Sequence, residues 1–333
     1  MYNNKTVLIT GGTGSWGHRL TQWLLEKGVG RIIIFSRGEL AQVKMARHFS
    51  NDSRISFQIG DVRDRSAVDL AMGQGVDYVF HLAALKHVPV CENNPDEAVK
   101  TNIRGTQNVC YSAIENKVKK VIDVSTDKAV APVNLYGMTK AVGERIMIHA
   151  NGISGVGGTK FICIRGGNAI GSNGSAIPLF ISQVKENNEI TLTDERMTRY
   201  FMTLEDAVSL IFKAAEIGIG GEVFVMRMPA FYMKTIAEVI AERYGDADTK
   251  VTEIGIRPGE KIDETLVSKD EARLTYAFDD DYYLIIPDTM TGLKKYHRYQ
   301  DLQNFGMGEY TSSSIISDKD EALKTLLDSG FIE

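Results

Sequence analysis

The chain has 333 residues, with 38 Lys and Arg against 43 Asp and Glu, hence a formal net charge of −5 with neutral histidines. A composition of 43% hydrophobic residues with 31 Gly and 7 Pro excludes disordered and fibrous classes, and the mild acidity leaves no basic face for nucleic acid or an anionic membrane. No apolar run approaches the ~20 residues of a membrane helix, the first ten residues lack a leader's charged-then-apolar layout, and Cys91, Cys110 and Cys163 form no CxxC pair, so a reducing cytoplasm without a metal framework is expected.

Short apolar runs alternate with amphipathic stretches from the start. Residues 7–9, 32–35, 55–59, 78–80, 121–124 and 161–164 read as buried strands, and 20–25, 40–49, 96–115 and 136–150 as the helices between them. This βαβ rhythm predicts an α/β fold, a doubly wound parallel sheet of Rossmann type with every strand's carboxyl end on one edge, where ligands bind. After residue 165 the rhythm loosens into a loop over 166–175, helical stretches at 177–185, 204–217 and 234–244, and short strands. A first domain over 1–165 and a smaller α/β domain over 166–333, with segments returning to the first, are expected. Residues 151–158 read as a Gly-rich surface loop. Ser317 followed by Asp320 reads as a capping box opening a last helix over 319–327.

The first strand runs directly into Thr10-Gly11-Gly12-Thr13-Gly14-Ser15-Trp16-Gly17 and then a helix. In that order Gly11 makes the tight turn, Gly14 lets the backbone approach a pyrophosphate, and Gly17 lets the helix pack on the sheet. Thr13, Ser15 and Trp16 join these glycines as candidate dinucleotide contacts. At the end of the second strand an NAD-preferring fold carries an acidic residue for the ribose 2′-hydroxyl. Here Ser36-Arg37 stand instead, and an arginine there pairs with a 2′-phosphate, so NADP is favoured over NAD, with Lys44 as a second cation. The alternative is that Glu39 takes the acidic role and Arg37 is a solvated surface residue. Asp61-Val62, after the third strand, falls where the adenine lies, unless it is simply a polar turn.

The fifth strand ends in Val124-Ser125-Thr126-Asp127-Lys128, Tyr136 follows eight residues after Lys128, and Lys140 stands four beyond it. At i and i+4 the tyrosine and lysine share a helix face. The ammonium is expected to lower the phenol from about 10 toward working pH, which makes it a general base for an alcohol under oxidation. Asp127 beside Lys128 pairs an acid with a base: losing a hydroxyl needs a proton donor, and deprotonating the neighbouring carbon needs an acceptor.

These residues resemble the extended short-chain dehydrogenase/reductase superfamily. The strings Ser125-Thr126-Asp127-Lys128-Ala129 and Asn134-Leu135-Tyr136-Gly137-Met138-Thr139-Lys140 sharpen the resemblance to its C5-inverting UDP-N-acetylglucosamine 4,6-dehydratases. Ala83-Ala84-Leu85-Lys86-His87-Val88-Pro89, Asn102-Ile103-Arg104-Gly105-Thr106, Met197-Thr198-Arg199 and Arg257-Pro258-Gly259-Glu260-Lys261 match as well, so the likeness runs from about residue 5 to residue 290. It implies an NADP-dependent hydro-lyase. Tyr136 takes the C4 hydroxyl proton while the C4 hydride passes to NADP⁺, Lys140 tunes Tyr136 and holds the nicotinamide ribose, and Thr126 polarises the C4 oxygen. Lys128 then removes the C5 proton and Asp127 protonates the departing C6 hydroxyl. The hydride returns to C6 and C5 is reprotonated from the opposite face, giving a UDP-2-acetamido-2,6-dideoxy-L-arabino-hexos-4-ulose. Ala83 and Ala84 are implied dinucleotide contacts. C5-retaining dehydratases resemble this pattern but carry Asp-Glu in place of Asp-Lys, and 4-epimerases have small or hydroxyl residues there.

For a UDP-sugar the resemblance implies Lys86, Asn168, Arg199, Arg257 and Glu260 as substrate contacts, with the arginines on the diphosphate and Glu260 on the uridine ribose. Surface salt bridges are the alternative for the arginines, and His87 reads equally as a hydrogen-bonded structural residue. The family reads Arg-Tyr-Gly-Asn and Gly-Ser-Arg-Gly-Ser where this chain has Arg165-Gly166-Gly167-Asn168 and Gly171-Ser172-Asn173-Gly174-Ser175, which leaves the hexose open. The competing readings are a 4-epimerase, a C5-retaining dehydratase, a simple dehydrogenase, and a cofactor-sensing module of the kind that loses the tyrosine and lysine. The resemblance also implies a homo-oligomer, dimer or hexamer, with a small-molecule partner and no metal, nucleic acid or membrane.

Overall fold

A computed structural model describes residues 1–172, 174–288, 299 and 301–333; Asn173 of the altered loop and residues 289–290 at the end of the matched stretch lie outside the described residues. The chain runs through β1 (Thr6–Thr10), α1 (Ser15–Glu26), β2 (Arg31–Ser36), α2 (Glu39–His48), β3 (Ile55–Ile59), α3 (Arg65–Met72) and β4 (Tyr78–His81). Two short helices, α4 (Val88–Asn93) and α5 (Pro95–Ala98), and a π-helical turn (Val99–Arg104) lead into α6 (Gly105–Glu115). Then come β5 (Lys120–Thr126), a 3-10 turn (Asp127–Ala129), α7 (Leu135–Ser154) and β6 (Lys160–Gly166). Ile32, Ile33, Ile34 and Phe35 are each at most 1% exposed, and a strand buried on both faces requires helices above and below it. The six strands pair in parallel in the order β3-β2-β1-β4-β5-β6, so the order reverses between β1 and β4 and a crevice opens at their carboxyl ends.

Beyond β6 lie β7 (Asn168–Ala169), α8 (Ala176–Asn187), β8 (Glu189–Leu192), β9 (Thr198–Met202), α9 (Leu204–Ile217), β10 (Val223–Met226), β11 (Ala230–Tyr232) and α10 (Met233–Tyr244). The last elements are β12 (Lys250–Glu253), β13 (Thr265–Val267), α11 (Lys269–Ala272), β14 (Thr275–Ala277), β15 (Tyr282–Ile285), β16 (Gln303–Asn304), β17 (Tyr310–Thr311) and α12 (Lys319–Asp328). Much of this chain rejoins the first sheet. β10 adds to β6 in parallel, and β15, β14 and β16 extend the sheet antiparallel. Helix α9 buries Ala207, Val208, Ile211 and Ala215, and its Phe212 stacks on Trp23 of α1 with centroids 5.5 Å apart. A separate apolar cluster, with Ile177, Phe180, Ile190, Phe231, Ile236, Ile240 and Leu326, joins α8, α10 and α12 to the strands β8, β9 and β11.

Two local expectations are corrected. The stretch 151–158 is not all loop: α7 continues to Ser154, because buried Asn151 accepts the Phe161 N–H on Oδ1 at 3.2 Å and ties the helix end to β6. The last helix is capped by Asp318, whose Oδ1 accepts from the Glu321 N–H at 2.9 Å, so the cap sits one residue after Ser317.

Candidate active site

The crevice is a cleft of about 750 Å³, lined at one end by the glycine-rich turn and at the other by the ends of β5 and β6. Thr13, Gly14, Ser15, Trp16 and Gly17 lie along it, followed by Ser36, Arg37, Asp61, Val62, Ala83 and Ala84. Gly11 has φ +66°, and a Cβ there would stand 2.8 Å from the Ala83 backbone; a Cβ on Gly17 would fall 2.1 Å from the Gly12 carbonyl oxygen. Both glycines are therefore required by the protein's own packing. Gly14 differs. Its nearest neighbour would be the Gly11 carbonyl oxygen at 3.5 Å, so the open space above it at the N-terminus of α1 suits a ligand phosphate.

The two cations expected at a 2′-phosphate part company. Arg37 lines the cleft and is exposed at the end of β2, where its charge acts on Asp61. Lys44 does not line it: α2 turns Gln42 and Met45 inward, which leaves Lys44 facing solvent. Glu39, in the first turn of α2, is exposed and also outside the lining. Asp61 is engaged by Arg63, which donates to its Oδ2 at 2.6 and 2.8 Å.

At the sugar end, Asn134 caps α7 by accepting the Gly137 N–H at 2.8 Å, and a Cβ on Gly137 would fall 2.1 Å from the Lys128 carbonyl oxygen. The cap and the glycine seat α7 against the 3-10 turn and so bring Tyr136 beside Thr126 and Lys128. Asn102, in the π-helical turn, accepts the Leu85 N–H and donates to the Leu85 carbonyl and to Thr139, which pins the strand-end loop 82–87 to α7.

Lys140 lies beneath the cleft, with Nζ 3.2 and 3.3 Å from the carboxylate oxygens of buried Asp123. Burial works against its ammonium, yet Asp123 outweighs it and raises the pKa. Tyr136 corrects the expectation of a lowered phenol. Burial raises it, and the counter-effects of Lys140, Lys128 and a hydrogen bond to Thr126 do not cancel that. Thr126 Oγ1 lies 2.8 Å from Asp127 Oδ1 and within hydrogen-bond reach of Tyr136, so its single proton can serve the acid or the phenol.

Asp127 is fully buried, and Lys128 reaches back to it with Nζ 3.0 Å from Oδ1; Nζ also lies 3.4 Å from Asn168 Oδ1 and 3.8 Å from Glu264 Oε1. Burial opposes the Lys128 charge, but Asp127 and Glu264 overcome it and raise the pKa, so the resting lysine is an ammonium. Lys86 stands exposed at the cleft mouth, and the surrounding walls and then the Lys128 charge lower its pKa.

Three of the residues expected at the substrate stand elsewhere. Buried Arg199 donates to the carbonyl oxygens of Thr198, Ile262 and Lys261 at 2.7, 2.9 and 2.9 Å, so its guanidinium is spent on backbone and does not line the cleft. Arg257 is exposed on the segment 251–258, and Glu260 accepts from the Arg257 N–H at 3.3 Å; neither lines the cleft. Lys86 and Asn168 do. His87 is not a hydrogen-bonded structural histidine. It makes no side-chain hydrogen bond among the described residues, and its ring covers Gly174, whose Cβ would fall 2.3 Å from Cε1. The altered loop is packed by sulfur: a Cβ on Gly166 would meet Met202 Sδ at 2.9 Å, with Trp16 at 3.8 Å, and one on Gly167 would meet the Tyr200 Cβ at 2.5 Å.

Sequence reasoning missed Glu264, Thr101 and Ser125. Thr101 is turned to the cleft wall by the π-helical segment, and Ser125 donates to Glu144 at 2.5 Å. Glu144 and Glu271 together hold buried Arg165 through four N–H contacts of 2.7 to 3.0 Å, joining β6 to α7 and α11. Among the described residues no cluster of three or more His, Cys, Asp or Glu is arranged to hold a metal, and no helix is long and apolar enough to cross a membrane.

Residues 7–286 match the family model described as polysaccharide biosynthesis protein. A protein of Campylobacter jejuni subsp. jejuni serotype O:23/36 (strain 81-176), named UDP-N-acetylglucosamine 4,6-dehydratase (inverting), is 45% identical over 289 residues, 86% of this chain and 84% of its own. A UDP-glucose 4-epimerase of Rickettsia canadensis (strain McKiel) is 40% identical over 98% of this chain and 96% of its own. Among solved structures, Pen from Bacillus thuringiensis superposes with a TM-score of 0.92 at 39% identity, covering 100% of this chain and 99% of Pen. DesIV, a dTDP-glucose 4,6-dehydratase from Streptomyces venezuelae solved with NAD, shares the fold, with a TM-score of 0.70 at 21% identity over 77% of this chain and 86% of DesIV. By its family match over most of its length and these relatives, the chain belongs to the polysaccharide biosynthesis protein family, built on a Rossmann-type sheet.

Proposed function

We propose that the chain is a C5-inverting UDP-N-acetylglucosamine 4,6-dehydratase with NADP as its resident cofactor. The observation that carries this reading is the buried Asp127 with Lys128 Nζ 3.0 Å from its Oδ1, at the strand end beside Tyr136. A C4 epimerisation needs only oxidation and return of hydrogen at C4. An adjacent acid and base are needed when a C6 hydroxyl leaves and a C5 proton is removed. That requirement favours the dehydratase reading of this chain over the epimerase one.

The Gly11–Gly17 turn, Arg37, Asp61, Val62, Ala83 and Ala84 would hold the dinucleotide, which when bound supplies hydride acceptance and return with no net redox change. Arg37, at the end of β2, supports a 2′-phosphate and hence NADP. Tyr136 accepts the C4 hydroxyl proton, and Lys140, anchored by Asp123, stabilises the phenolate. Passing one proton from Lys128 Nζ to Asp127 across their contact creates an amine and a carboxylic acid together. The amine takes the C5 proton, the acid protonates the C6 oxygen as water leaves, and both groups return to their resting charges. Lys86 and Asn168 bind the sugar or its phosphate, and residues after 165 that do not rejoin the first sheet form the substrate domain. A homo-oligomer is part of this reading, supported by an apolar groove of about 260 Å³ on α6 and α7, with Tyr111, Val142 and Ile153 exposed.

Incubation with UDP-N-acetylglucosamine in D₂O, followed by proton NMR, tests the proposal. A 4-keto-6-deoxy product with deuterium at C5 and L-arabino configuration is expected. A D-xylo product at the earliest times would remove inversion, and C4-epimerised sugar without loss of the C6 hydroxyl would replace the reading with epimerase.

A further inference from the structure

Glu264 precedes β13, more than a hundred residues from the Asp127-Lys128 pair, and is 3% exposed. Three cations surround its carboxylate at nearly equal distance: Lys128 at 3.8 Å, Arg199 Nε at 3.9 Å and Lys261 at 3.9 Å. None of them closes to hydrogen-bond length. Among the described residues neither Glu264 Oε2 nor Oδ2 of buried Asp127 has a hydrogen-bond partner. The backbone around Glu264 is fixed from the far end of the chain. Ser312 Oγ accepts its N–H at 2.9 Å, the Ser312 N–H donates to its carbonyl at 2.8 Å, and Ser312 Oγ lies 2.6 Å from Thr198 Oγ1.

A buried carboxylate with an unpaired oxygen and no short contact is destabilising to a fold, and a buried titratable group with specific charge partners is a candidate for a functional role. Burial, and after it Asp127, raise the pKa of Glu264, while Lys128, Arg199 and Lys261 favour its charged form, and that carboxylate faces the one amine that the reaction requires both charged and neutral. We propose that Glu264 is a positioning residue for C5 proton transfer: with Asp127 it holds the Lys128 ammonium between two carboxylates and governs the pH at which that amine becomes free. The proposal rests on the dehydratase reading, in which Lys128 exchanges the C5 proton. The other groups facing Lys128 are Tyr136 from α7, Lys86 from the loop after β4, Arg199 from β9 and Lys261 from the segment before β13; all but Tyr136 are cationic and already favour the neutral amine. Burial, ahead of the pull of Glu264 and Asp127, lowers the pKa of Lys261. Removing the Glu264 charge therefore leaves Asp127 as the sole anion holding the proton on Lys128.

The test measures C5 hydrogen exchange in D₂O by NMR across pH 6 to 10.5 for the holoenzyme, with C4 hydride transfer followed separately by absorbance of the reduced nicotinamide. Glu264→Gln keeps the side-chain shape and removes the charge. Its exchange rate is expected to begin climbing at least about one pH unit below that of the unsubstituted enzyme, with C4 hydride transfer held within about threefold. Glu264→Asp, which retracts the charge by one methylene, is expected to shift the climb in the same direction by less, and it decides the question alone if the glutamine variant fails to fold. Exchange profiles that coincide with that of the unsubstituted enzyme would overturn the role of Glu264, as would equal losses in hydride transfer and exchange at every pH. Absence of any 4-keto-6-deoxy product from the unsubstituted enzyme would overturn the dehydratase reading instead.

Discussion

Two glycines three residues apart in the first turn answer different questions, and substituting each separates fold from ligand. At Gly14 the backbone has φ −79° and ψ 172°, which alanine adopts freely, and the added methyl would meet only the Gly11 carbonyl oxygen at 3.5 Å. Gly14→Ala should therefore change stability by no more than about 1 kcal/mol, the N-cap preference for glycine being offset by a stiffer unfolded chain. The same methyl stands where a pyrophosphate must approach the N–H groups of α1. Backing the phosphates away by about 1 Å forfeits charge-assisted hydrogen bonds worth about 3 kcal/mol in total, which raises the dinucleotide Kd about 100-fold. Gly17→Ala should behave in the opposite sense. Its Cβ would fall 2.1 Å from the Gly12 carbonyl oxygen, so β1 and α1 must separate, at a destabilisation of about 1–3 kcal/mol or more. Thermal unfolding reads the first quantity, and titration with NADP⁺ followed by tryptophan fluorescence reads the second, since Trp16 lines the cleft. A Gly14→Ala protein that binds NADP⁺ within about threefold of the original would refute the assignment of this turn to the pyrophosphate.

Arg37→Glu is expected to weaken NADP binding about 30- to 100-fold while leaving NAD nearly unchanged, and an unaltered ratio of the two Kd values would remove Arg37 from 2′-phosphate recognition. Arg165→Met strands Glu144 and Glu271 in the interior and should lower stability by about 3–5 kcal/mol in urea unfolding; a loss below about 1 kcal/mol would mean that the pair relaxes to solvent. His81, between the hydroxyls of Thr10 and Thr106, is pushed down to about 4 by burial, with Asp123 opposing. The unfolded imidazole protonates near 6.5 and the folded one does not, so this contribution is complete above that pH and drains away as pH falls toward 4, by about 3 kcal/mol. His81→Gln should flatten that part of the stability profile, and an unchanged slope would contradict the buried neutral ring. Val142→Glu, on the apolar groove of α6 and α7, should dissociate the proposed oligomer in sedimentation velocity, whereas a monomeric parent protein would exclude that interface.

The glycine-rich turn and the central pair of the candidate site were legible because their geometry is local. Gly11 to Gly17 lie within one strand-turn-helix unit, Asp127 and Lys128 are neighbours in the chain, and helix periodicity alone puts Tyr136 and Lys140 on one face. The same locality explains where the reading failed. Whether Lys44 faces the cleft depends on which side of α2 the sheet covers, and whether Asp318 or Ser317 caps α12 depends on a one-residue register that both side chains could satisfy. The expected lowering of Tyr136 weighed one neighbouring charge and no burial, and burial is the larger effect.

Chain chemistry alone thus determined the alternating strands and helices, the glycine at position 14 where the first strand turns into a helix, and the acid-base pair at the end of β5. These follow from side-chain period, backbone freedom and adjacency, all set within a few residues. Only the tertiary structure decided that Asp123 anchors Lys140, that Arg199 turns inward to three carbonyl oxygens, and that Glu264 stands 3.8 Å from Lys128. Apart from the neighbouring Thr198 carbonyl, the last two bring together atoms separated by tens to more than a hundred residues, and Asp123 meets Lys140 only because α7 folds back over β5. A charge buried at such a junction owes its effect to distance and to the exclusion of water, and chain order records neither.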